Sequence, residues 1–389
     1  MSQVTGQTIP KLLVLSWSIP PAVTGSATVM GNLARQFTPA DMTLMGAYYL
    51  NALPVEWAKG SPPLRYVMVQ PPETWRGARY LRWLQLPYVM LRGWWALVIG
   101  RCQGILSVYP DAIYLLVGYL LSLITGRALY AYFHNTYVEA HKGRLARWLQ
   151  PRVFRRARHV FVMSEGMRTL YAERYPTLAC SALPHTFSGM PPPLEDAALP
   201  PLSAPLQTAF MGSVWASVSD ALERMIAAVK AEGDVRCALY TGTPYSNLTA
   251  LGATGAAFTI STPDNAALRK ALRAADILLL PHAFQTGLPE EEIRTIFPTK
   301  TLDYLLAGRP ILAHLPANCF LADFLRNHDC ALLITEPTVE AVREGLRRLR
   351  GDRPLRERLA ANALRAAAQF QAHRVADHLR DVVLSTWQQ

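Results

Sequence analysis

Residues 297–310 have the sequence FPTKTLDYLLAGRP, which predicts a short helix followed by a turn and a buried strand. Pro298 suits the entry of a helix, because its missing N–H would have no intrahelical partner there. The leucines that follow form one apolar stripe at helical spacing. Gly308 predicts a left-handed C-terminal cap, and Pro310 prevents the helix from continuing. The apolar residues 311–315 then predict the strand.

The start of this helix is a candidate anion-binding site. A helix N-terminus presents N–H groups without intrahelical partners and the positive end of the helix dipole. Thr299 and Lys300 lie at this position, and Asp303 follows on the same helix face as Lys300. A cation beside a carboxylate suits the phosphate and the ribose of a nucleotide. The alternative is an ordinary capped amphipathic helix between two strands.

The longer segment FPTKTLDYLLAGRPILA resembles the nucleotide-sugar site of retaining glycosyltransferases of family 4, which have the GT-B fold. That family places a Glu, seven residues and a second Glu here, and the two positions fall on Thr295 and Asp303. Asp303 keeps a carboxylate for the ribose, whereas Thr295 removes the one that usually contacts the donor sugar. Glu292, in the run of three glutamates just upstream, is a candidate substitute.

The resemblance implies that Gly212 and Ser213 also bind the donor, with Pro298 and Thr299 from the helix entry. Family members usually have an Arg after this Gly and a Lys downstream that hold the diphosphate, but Val214 and a Trp stand here. Lys300 is therefore the main cationic and catalytic candidate on this side. No Asp-x-Asp motif is present, so we expect neither a metal nor another cofactor, the nucleotide-diphosphate sugar being a substrate.

The N-terminal part opens with an apolar strand, a loop that contains Gly25 and Ser26, and a helix, as doubly wound α/β domains do. Residues 128–133 predict a strand that ends at His134 and Asn135, where ligands bind in open α/β sheets. The resemblance implies that Gly25, Ser26 and Asn135 lie on the acceptor side and that His134 is catalytic, near the transferred sugar. An ordinary turn and a structural histidine are the alternatives.

Length and composition indicate two domains. The chain has 389 residues, of which 51% are hydrophobic, and prolines concentrate in residues 188–206, which predicts a stiff linker. The resemblance to family 4 implies an α/β fold of GT-B type, with two Rossmann-like doubly wound domains facing across a cleft. Residues 1–187 would form the acceptor-side domain, with residues 183–185 as its last strand. Residues 207–372 would form the nucleotide-sugar-binding domain, and residues 373–389 a helix that crosses back to the first domain.

The net charge of +11 is distributed unevenly. Residues 1–185 contain 19 Lys and Arg against 7 Asp and Glu, whereas the remainder contains 20 against 21. Two stretches, 74–110 and 140–164, contain no acidic residue, and the first interleaves Trp and Tyr with Arg76, Arg79, Arg82, Arg92 and Arg101. This composition is typical of a helix in a membrane interface, although a connecting helix packed on the sheet is an equal alternative. The apolar residues 112–125 are too few to span a membrane, so we expect them to form a buried helix that covers the sheet.

The sequence therefore predicts a glycosyltransferase that moves a sugar from a nucleotide-sugar donor to an acceptor hydroxyl, with retention of configuration. The acceptor would be a glycan or a lipid-linked molecule. We expect an anionic membrane surface as a second partner, and we expect no binding to nucleic acid. No signal peptide is recognised and the five cysteines are scattered, which favours a cytoplasmic protein. The two basic stretches favour a peripheral position on the inner face of the membrane. A nucleotide-sugar epimerase of GT-B fold and a non-catalytic nucleotide- or lipid-binding relative are the alternatives.

Overall fold

The computed structural model describes residues 9–20, 25–47, 62, 64–69, 82–139, 143–187 and 199–387. The chain divides into two compact units. The first comprises residues 1–188 and 370–389, and the second comprises residues 189–369.

The first unit is built on a parallel sheet with the strand order β3-β2-β1-β4-β5-β6-β7. Its strands are β1 Leu12–Leu15, β2 Met42–Ala47, β3 Arg65–Val69, β4 Gly104–Tyr109, β5 Ala128–Phe133, β6 Ala157–Val162 and β7 Cys180–Ala182. Its helices are α1 Gly25–Ala34, α2 Leu86–Ile99, α3 Ala112–Thr125, α4 Arg144–Arg156 and α5 Glu165–Arg174. Every residue of β1 and β5 is buried, as expected for parallel strands covered by helices on both faces.

Helix α3 forms over the predicted residues because both of its ends are capped. The Asp111 carboxylate accepts hydrogen bonds from the amides of Ile113 and Tyr114, and Gly126 ends the helix with a φ of +68°. Helix α3 lies between α2 and α4 in one layer. Gly93 of α2 allows a close approach, since a Cβ there would lie only 2.6 Å from Leu121 Cδ1 of α3.

The second unit contains a parallel sheet with the strand order β10-β9-β8-β11-β12-β13. Its strands are β8 Leu206–Met211, β9 Val235–Tyr240, β10 Phe258–Ser261, β11 Ile277–Pro281, β12 Ile311–His314 and β13 Leu332–Ile334. Its helices are α6 Ser219–Ala231, α7 Tyr245–Ala250, α8 Asn265–Ala274, α9 Glu290–Thr295, α10 Lys300–Ala307, α11 Phe320–Asn327, α12 Val339–Gly351 and α13 Arg353–Ala367. The last helix, α14 Ala372–Trp387, belongs to the first unit, where it packs against α1.

The strand order of the second unit reverses between β8 and β11, and these strands pair only through Thr208 and Ala209 with Ile277 and Leu278. Beyond this short ladder, the hydroxyl of Tyr304 lies between the two strands. It accepts a hydrogen bond from Met211 N at 2.8 Å and donates one to Leu279 O at 3.0 Å. Because Tyr304 lies in α10, these bonds hold the helix at the switch point, where open α/β sheets bind ligands.

The turn that ends α10 is the one predicted. Gly308 has a left-handed conformation with φ +62° and ψ +38°, and strand β12 follows. The helix begins at Lys300 with Thr299 at its N-cap, so Pro298 precedes the helix instead of opening it. The carbonyl of Pro298 accepts a hydrogen bond from Thr301 N at 2.9 Å, which forms a tight entry turn.

Two boundary predictions differ from the structure. The first loop is shorter than expected, because α1 already begins at Gly25. The predicted last strand at residues 183–185 is wrong. Strand β7 covers Cys180–Ala182 and ends before Pro184, which has no N–H for a further ladder bond. In the predicted linker, residues 188–198 lie outside the described residues. Ser203 N, near its end, donates to the carboxylate of Asp276 in the second unit.

We expect Tyr304→Phe to lower the free energy of unfolding by about 2–3 kcal/mol, because it leaves the partly buried Met211 N and the buried Leu279 O without partners. Urea denaturation measures this change. Tyr245→Phe is the matched control, since Tyr245 is exposed. Equal stability of the two variants would contradict the role of the hydroxyl.

Candidate functional site

Lys300 and Gly212 meet at the carboxyl end of β8. Gly212 has a φ of +110°, which an L side chain rarely adopts, and a Cβ there would lie 3.5 Å from Lys300 Nζ. The ammonium group lies 4.6 Å from the ring centroid of Phe210. The structure therefore brings together two of the predicted donor-binding residues, which are far apart in the sequence.

The Lys300 ammonium is buried and has no hydrogen-bond partner within the described part of the chain. Burial disfavours the charged form, and it lowers the pKa of Lys300 to about 7. Lys300 lies one turn before Tyr304 on the same face of α10, so the tyrosine that anchors the helix also orients the lysine. A buried amine without a counter-ion is a position where an anion would be stabilised.

Asp303 lies one helical turn after Lys300 and is half-buried. Burial raises the pKa of its carboxyl group to about 6, and the nearby Arg269 of α8 opposes this increase. The group is therefore mostly ionised at neutral pH. An ionised carboxylate accepts hydrogen bonds, which suits the hydroxyls of a ribose.

The entry turn of α10 contributes fewer free amides than the sequence predicts. Thr301 N donates to Pro298 O and Leu302 N donates to Thr299 O, at 2.9 and 3.2 Å. These amides are used within the turn, so Lys300 is the main candidate for binding an anion in this segment. Ser213, the other predicted donor residue, is exposed in the loop after Gly212.

Thr295 does not take the role that the resemblance implies for a glutamate at its position. It is buried at the end of α9, and its hydroxyl donates to Glu291 O at 2.8 Å, so it closes its own helix. Glu292 is half-buried on the same helix, and its carbonyl accepts from Ile296 N at 3.0 Å. Its carboxylate makes no hydrogen bond to Lys300 Nζ.

His282 was not identified from the sequence, although it directly follows β11 at the carboxyl edge of the sheet. Its Nε2 lies 2.9 Å from Ile293 O and donates to it, which leaves Nδ1 as an acceptor. Nδ1 is buried without a hydrogen-bond partner among the described residues. Burial lowers the pKa of His282, so the ring is neutral. A polar residue that ends a buried strand was the signal in the sequence.

Asp220, in the first turn of α6, is a second residue that the sequence did not indicate. Its Oδ2 accepts hydrogen bonds from Phe284 N and Gln285 N, at 3.2 and 3.1 Å, and from Arg224. Its Oδ1 is buried and, among the described residues, has no partner. The Asp220 carboxylate thus fixes the loop that follows His282 and keeps one free acceptor atom.

A histidine at the end of β12 completes this scaffold. His314 Nδ1 donates to Ile334 O at 3.0 Å, and Nε2 accepts from Arg224 Nε at 2.9 Å. Burial lowers the pKa of His314 to about 4, so it is neutral. Arg224 in turn lies 4.9 Å over the ring of Phe284. Arg224 is therefore committed to the scaffold and does not serve as the missing diphosphate arginine.

In the first unit, His134 and Ser26 meet although 108 residues separate them. His134 Nδ1 lies 2.9 Å from Ser26 Oγ, and Nε2 is buried with no partner in the described segments. Burial lowers the pKa of His134 to about 3, with a further contribution from His185, so the ring is neutral. Gly25 is exposed at the start of α1, and Asn135 is half-buried next to His134. Of the predicted acceptor-side residues, Ser26 therefore contacts the buried, neutral imidazole of His134, and Gly25 and Asn135 are the sequence neighbours of Ser26 and of the histidine.

Comparison with known proteins identifies the fold. No family model and no curated protein matches the sequence. Among solved structures, sucrose-phosphate synthase from Thermosynechococcus elongatus matches with a TM-score of 0.75 and 15% identity, over 97% of this chain and 99% of that one. Alr3699/HepE from Anabaena, solved with UDP-glucose, matches with a TM-score of 0.69 and 15% identity, over 96% of this chain and 99% of that one.

A UDP-N-acetylglucosamine 2-epimerase structure from Listeria monocytogenes, described as putative, matches less closely. The TM-score is 0.60 at 11% identity, over 98% of this chain and 97% of that one. These similarities establish the fold: the chain has the GT-B fold of glycosyltransferases, with one Rossmann-like sheet in each unit. Among the helices that the structure describes, none has the length and apolar character needed to cross a membrane. The described residues also include no cluster suited to a metal ion.

We expect Lys300→Met to stabilise the ligand-free protein at pH 7. The pKa of Lys300 is 10.5 in the unfolded chain and about 7 in the folded one. Between these values the unfolded chain binds one more proton, so Lys300 costs stability that is recovered as the pH rises towards 10.5. The gain should be on the order of 2–4 kcal/mol at pH 7 and should shrink by pH 10.

Urea denaturation at pH 7 and pH 10 measures this difference. Lys270→Met is the control, because Lys270 lies exposed on α8 and should give no pH-dependent change. A Lys300→Met effect of the same size at both pH values would contradict the burial of a titrating amine.

Proposed function

We propose that the protein is a glycosyltransferase that moves a sugar from a nucleotide-diphosphate donor to an acceptor hydroxyl. The observation that carries the proposal is the buried, unpartnered ammonium of Lys300 beside Gly212, at the switch point of the second sheet. A diphosphate would supply the missing counter-ion, and Gly212 would let the phosphate approach the backbone closely. Asp303, one turn away, is placed to accept hydrogen bonds from the ribose.

In this reaction the bond between the anomeric carbon and the diphosphate oxygen breaks, and negative charge develops on the leaving group. Lys300 would stabilise that charge, and a bound anion would raise its pKa and keep it protonated. The other residues would mainly hold the donor in position. The charge on the leaving diphosphate makes Lys300 the residue expected to matter most in the transition state.

Retention of configuration is proposed from the resemblance of residues 297–313 to family 4. Because Thr295 stands where the family usually has a glutamate, the donor sugar lacks the carboxylate that usually contacts it. We propose that His282 Nδ1 and Asp220 Oδ1, which have no hydrogen-bond partner among the described residues, contact the sugar hydroxyls instead. His134 is proposed to contact the sugar or the acceptor from the first unit, as a neutral imidazole.

The similarity to HepE, which was solved with UDP-glucose, supports uridine-diphosphate sugars as the first donors to test. A nucleotide-sugar epimerase is the second candidate, favoured by the similarity to the Listeria structure. Epimerisation changes the donor without an acceptor, so product analysis separates the two functions. We further propose that the protein is cytoplasmic and that its acceptor is a glycan or lipid-linked molecule at the membrane surface, because the excess positive charge lies in residues 1–185.

We expect release of the nucleoside diphosphate when purified protein is incubated with nucleotide-diphosphate sugars and a panel of glycan and glycolipid acceptors. We expect Lys300→Ala to lower kcat about 10²–10³-fold and to change the Michaelis constant less, because the charge acts chiefly in the transition state. Lys270→Ala is the control, since Lys270 is exposed. An effect on the Michaelis constant alone would show that Lys300 only binds the donor, and a sugar epimer without transfer would favour the second candidate.

Asp303→Ala should weaken the binding of the free nucleoside diphosphate by about 1–3 kcal/mol, the scale of a lost hydrogen bond to a charged group. Isothermal titration calorimetry measures this affinity without any acceptor. Asp323→Ala is the matched control, because Asp323 is an exposed aspartate paired with Arg326 on α11. Unchanged affinity for the Asp303 variant would remove this residue from the ribose site.

A further inference from the structure

The outer face of α2 exposes large apolar side chains. Leu91 is 60% exposed and Trp95 is 55% exposed, and Leu84, in the helical segment just before α2, is 76% exposed. These positions follow helical spacing and form one stripe, which also includes Tyr88, Trp94, Val98 and Ile99. The stripe is therefore a continuous apolar face of one helix and not a set of scattered residues.

The opposite face of α2 is apolar as well. Val89, Gly93, Ala96 and Leu97 are buried, and the helix packs on α3. A surface helix of a globular protein normally has a polar outer face, and a helix that is apolar all round requires cover on both sides. Arg92 is the only charged residue in α2. The structure thus accounts for one face of this helix and leaves the other in contact with solvent.

The apolar face continues into a basic one along the same layer of helices. Leu123 and Ile124 are exposed at the end of α3, and Arg156 of α4 donates to Ser122 O at 3.0 Å, which joins the two helix ends. Helix α4 exposes Trp148. It also exposes Arg144, Arg147 and Arg155. We call the exposed face of α2, the end of α3 and the exposed face of α4 the aromatic–basic surface.

The charge of this surface is of one sign. No acidic residue occurs in the sequence between Glu73 and Asp111 or between Glu139 and Glu165, the stretches that contain α2 and α4. Trp and Tyr favour the level of the lipid headgroups, and arginines beside them meet the phosphates. A second copy of this chain would bring arginine against arginine, which is unfavourable. A partner that complements both the apolar face of α2 and the basic face of α4 must combine apolar groups with negative charge.

We propose that the aromatic–basic surface docks on an anionic lipid bilayer, with α2 lying in the plane of the interface and its apolar face inserted. The proposal deepens the membrane-surface reaction proposed above and rests on it for the nature of the acceptor. Docking would hold the first unit against a lipid-linked acceptor.

The structure changes which arginines should act in docking. Arg76 and Arg79, singled out from the sequence, lie outside the described residues. Arg82 forms an ion pair with Asp111, and its guanidinium lies 3.6 Å over the ring of Trp17. Arg82 is thus used inside the first unit. We therefore expect the exposed arginines of α4, and not Arg82, to contact the anionic bilayer.

Co-sedimentation with vesicles tests the proposal directly. The wild-type protein should bind vesicles that contain phosphatidylglycerol, bind pure phosphatidylcholine vesicles much less, and dissociate as the salt concentration rises. Leu91→Ser with Trp95→Ser should reduce partitioning about tenfold or more, because two inserted side chains are lost. Trp215→Ser with Tyr245→Ser, two exposed aromatic residues of the second unit, is the matched control and should leave binding unchanged.

Two further measurements make the test specific. Arg144→Glu with Arg147→Glu should weaken binding to anionic vesicles only. Brominated lipids should quench tryptophan fluorescence in the wild-type protein, and Trp94→Phe with Trp95→Phe should remove much of that quenching while the protein still binds. Trp215→Phe should not change the quenching.

Nucleotide affinity, measured without vesicles, separates this proposal from the proposed function. Variants of the aromatic–basic surface should bind the nucleoside diphosphate normally, and the Asp303→Ala protein should bind vesicles normally. Equal binding to neutral and anionic vesicles, or no binding to either at low salt, would overturn the proposal. So would a dimer in light scattering that Leu91→Ser with Trp95→Ser converts to a monomer, because that result would identify a second copy as the occupant.

Discussion

The second unit depends on the divergence of β8 and β11, which the hydroxyl of Tyr304 accommodates. Beyond Leu278 the two strands no longer pair, so Met211 N and Leu279 O need other partners in a buried environment. Tyr304 satisfies both groups, and this fixes the rotation of α10 about its axis. The lysine one turn earlier is then directed over Phe210 and against Gly212. The candidate anion site is thus a consequence of how the sheet opens at its switch point.

The divergence of β8 and β11 also explains why the buried Lys300 is expected to lower the free energy of unfolding. A folded protein rarely buries an amine without a counter-ion, because desolvation disfavours the charge. Among the described residues, the cation–π contact with Phe210 offsets part of this cost, and it does not prevent the pKa of Lys300 from falling to about 7. His282 Nδ1 and Asp220 Oδ1 are likewise buried without partners in the described residues. Groups that contradict the usual rules of folding in this way concentrate at functional sites, where a ligand satisfies them.

Local signals in the sequence predicted the local structure well. The positive φ of Gly308, the strand that follows it and the bounds of α3 were each predicted, because caps and turns depend on neighbouring residues. The α/β class followed from the alternation of strands and helices, and the GT-B type from the resemblance of residues 297–313 to family 4. The Tyr304 bridge and the roles of His282 and Asp220 could not be predicted, since their partners are distant in the sequence. Thr295 could be recognised as a departure, but its bond to Glu291 O required coordinates.

The two units use positive charge in different physical ways. The arginines of α4 are exposed, so salt screens them, and they favour any extended anionic surface in proportion to its charge density. Lys300 is buried, so salt screens it far less, and its ammonium has no hydrogen-bond partner in the described part of the chain. Composition alone shows an excess of cations in residues 1–185 and a balance in the rest. It cannot show that the balanced half contains the cation with the most perturbed environment, because charge counts do not report burial.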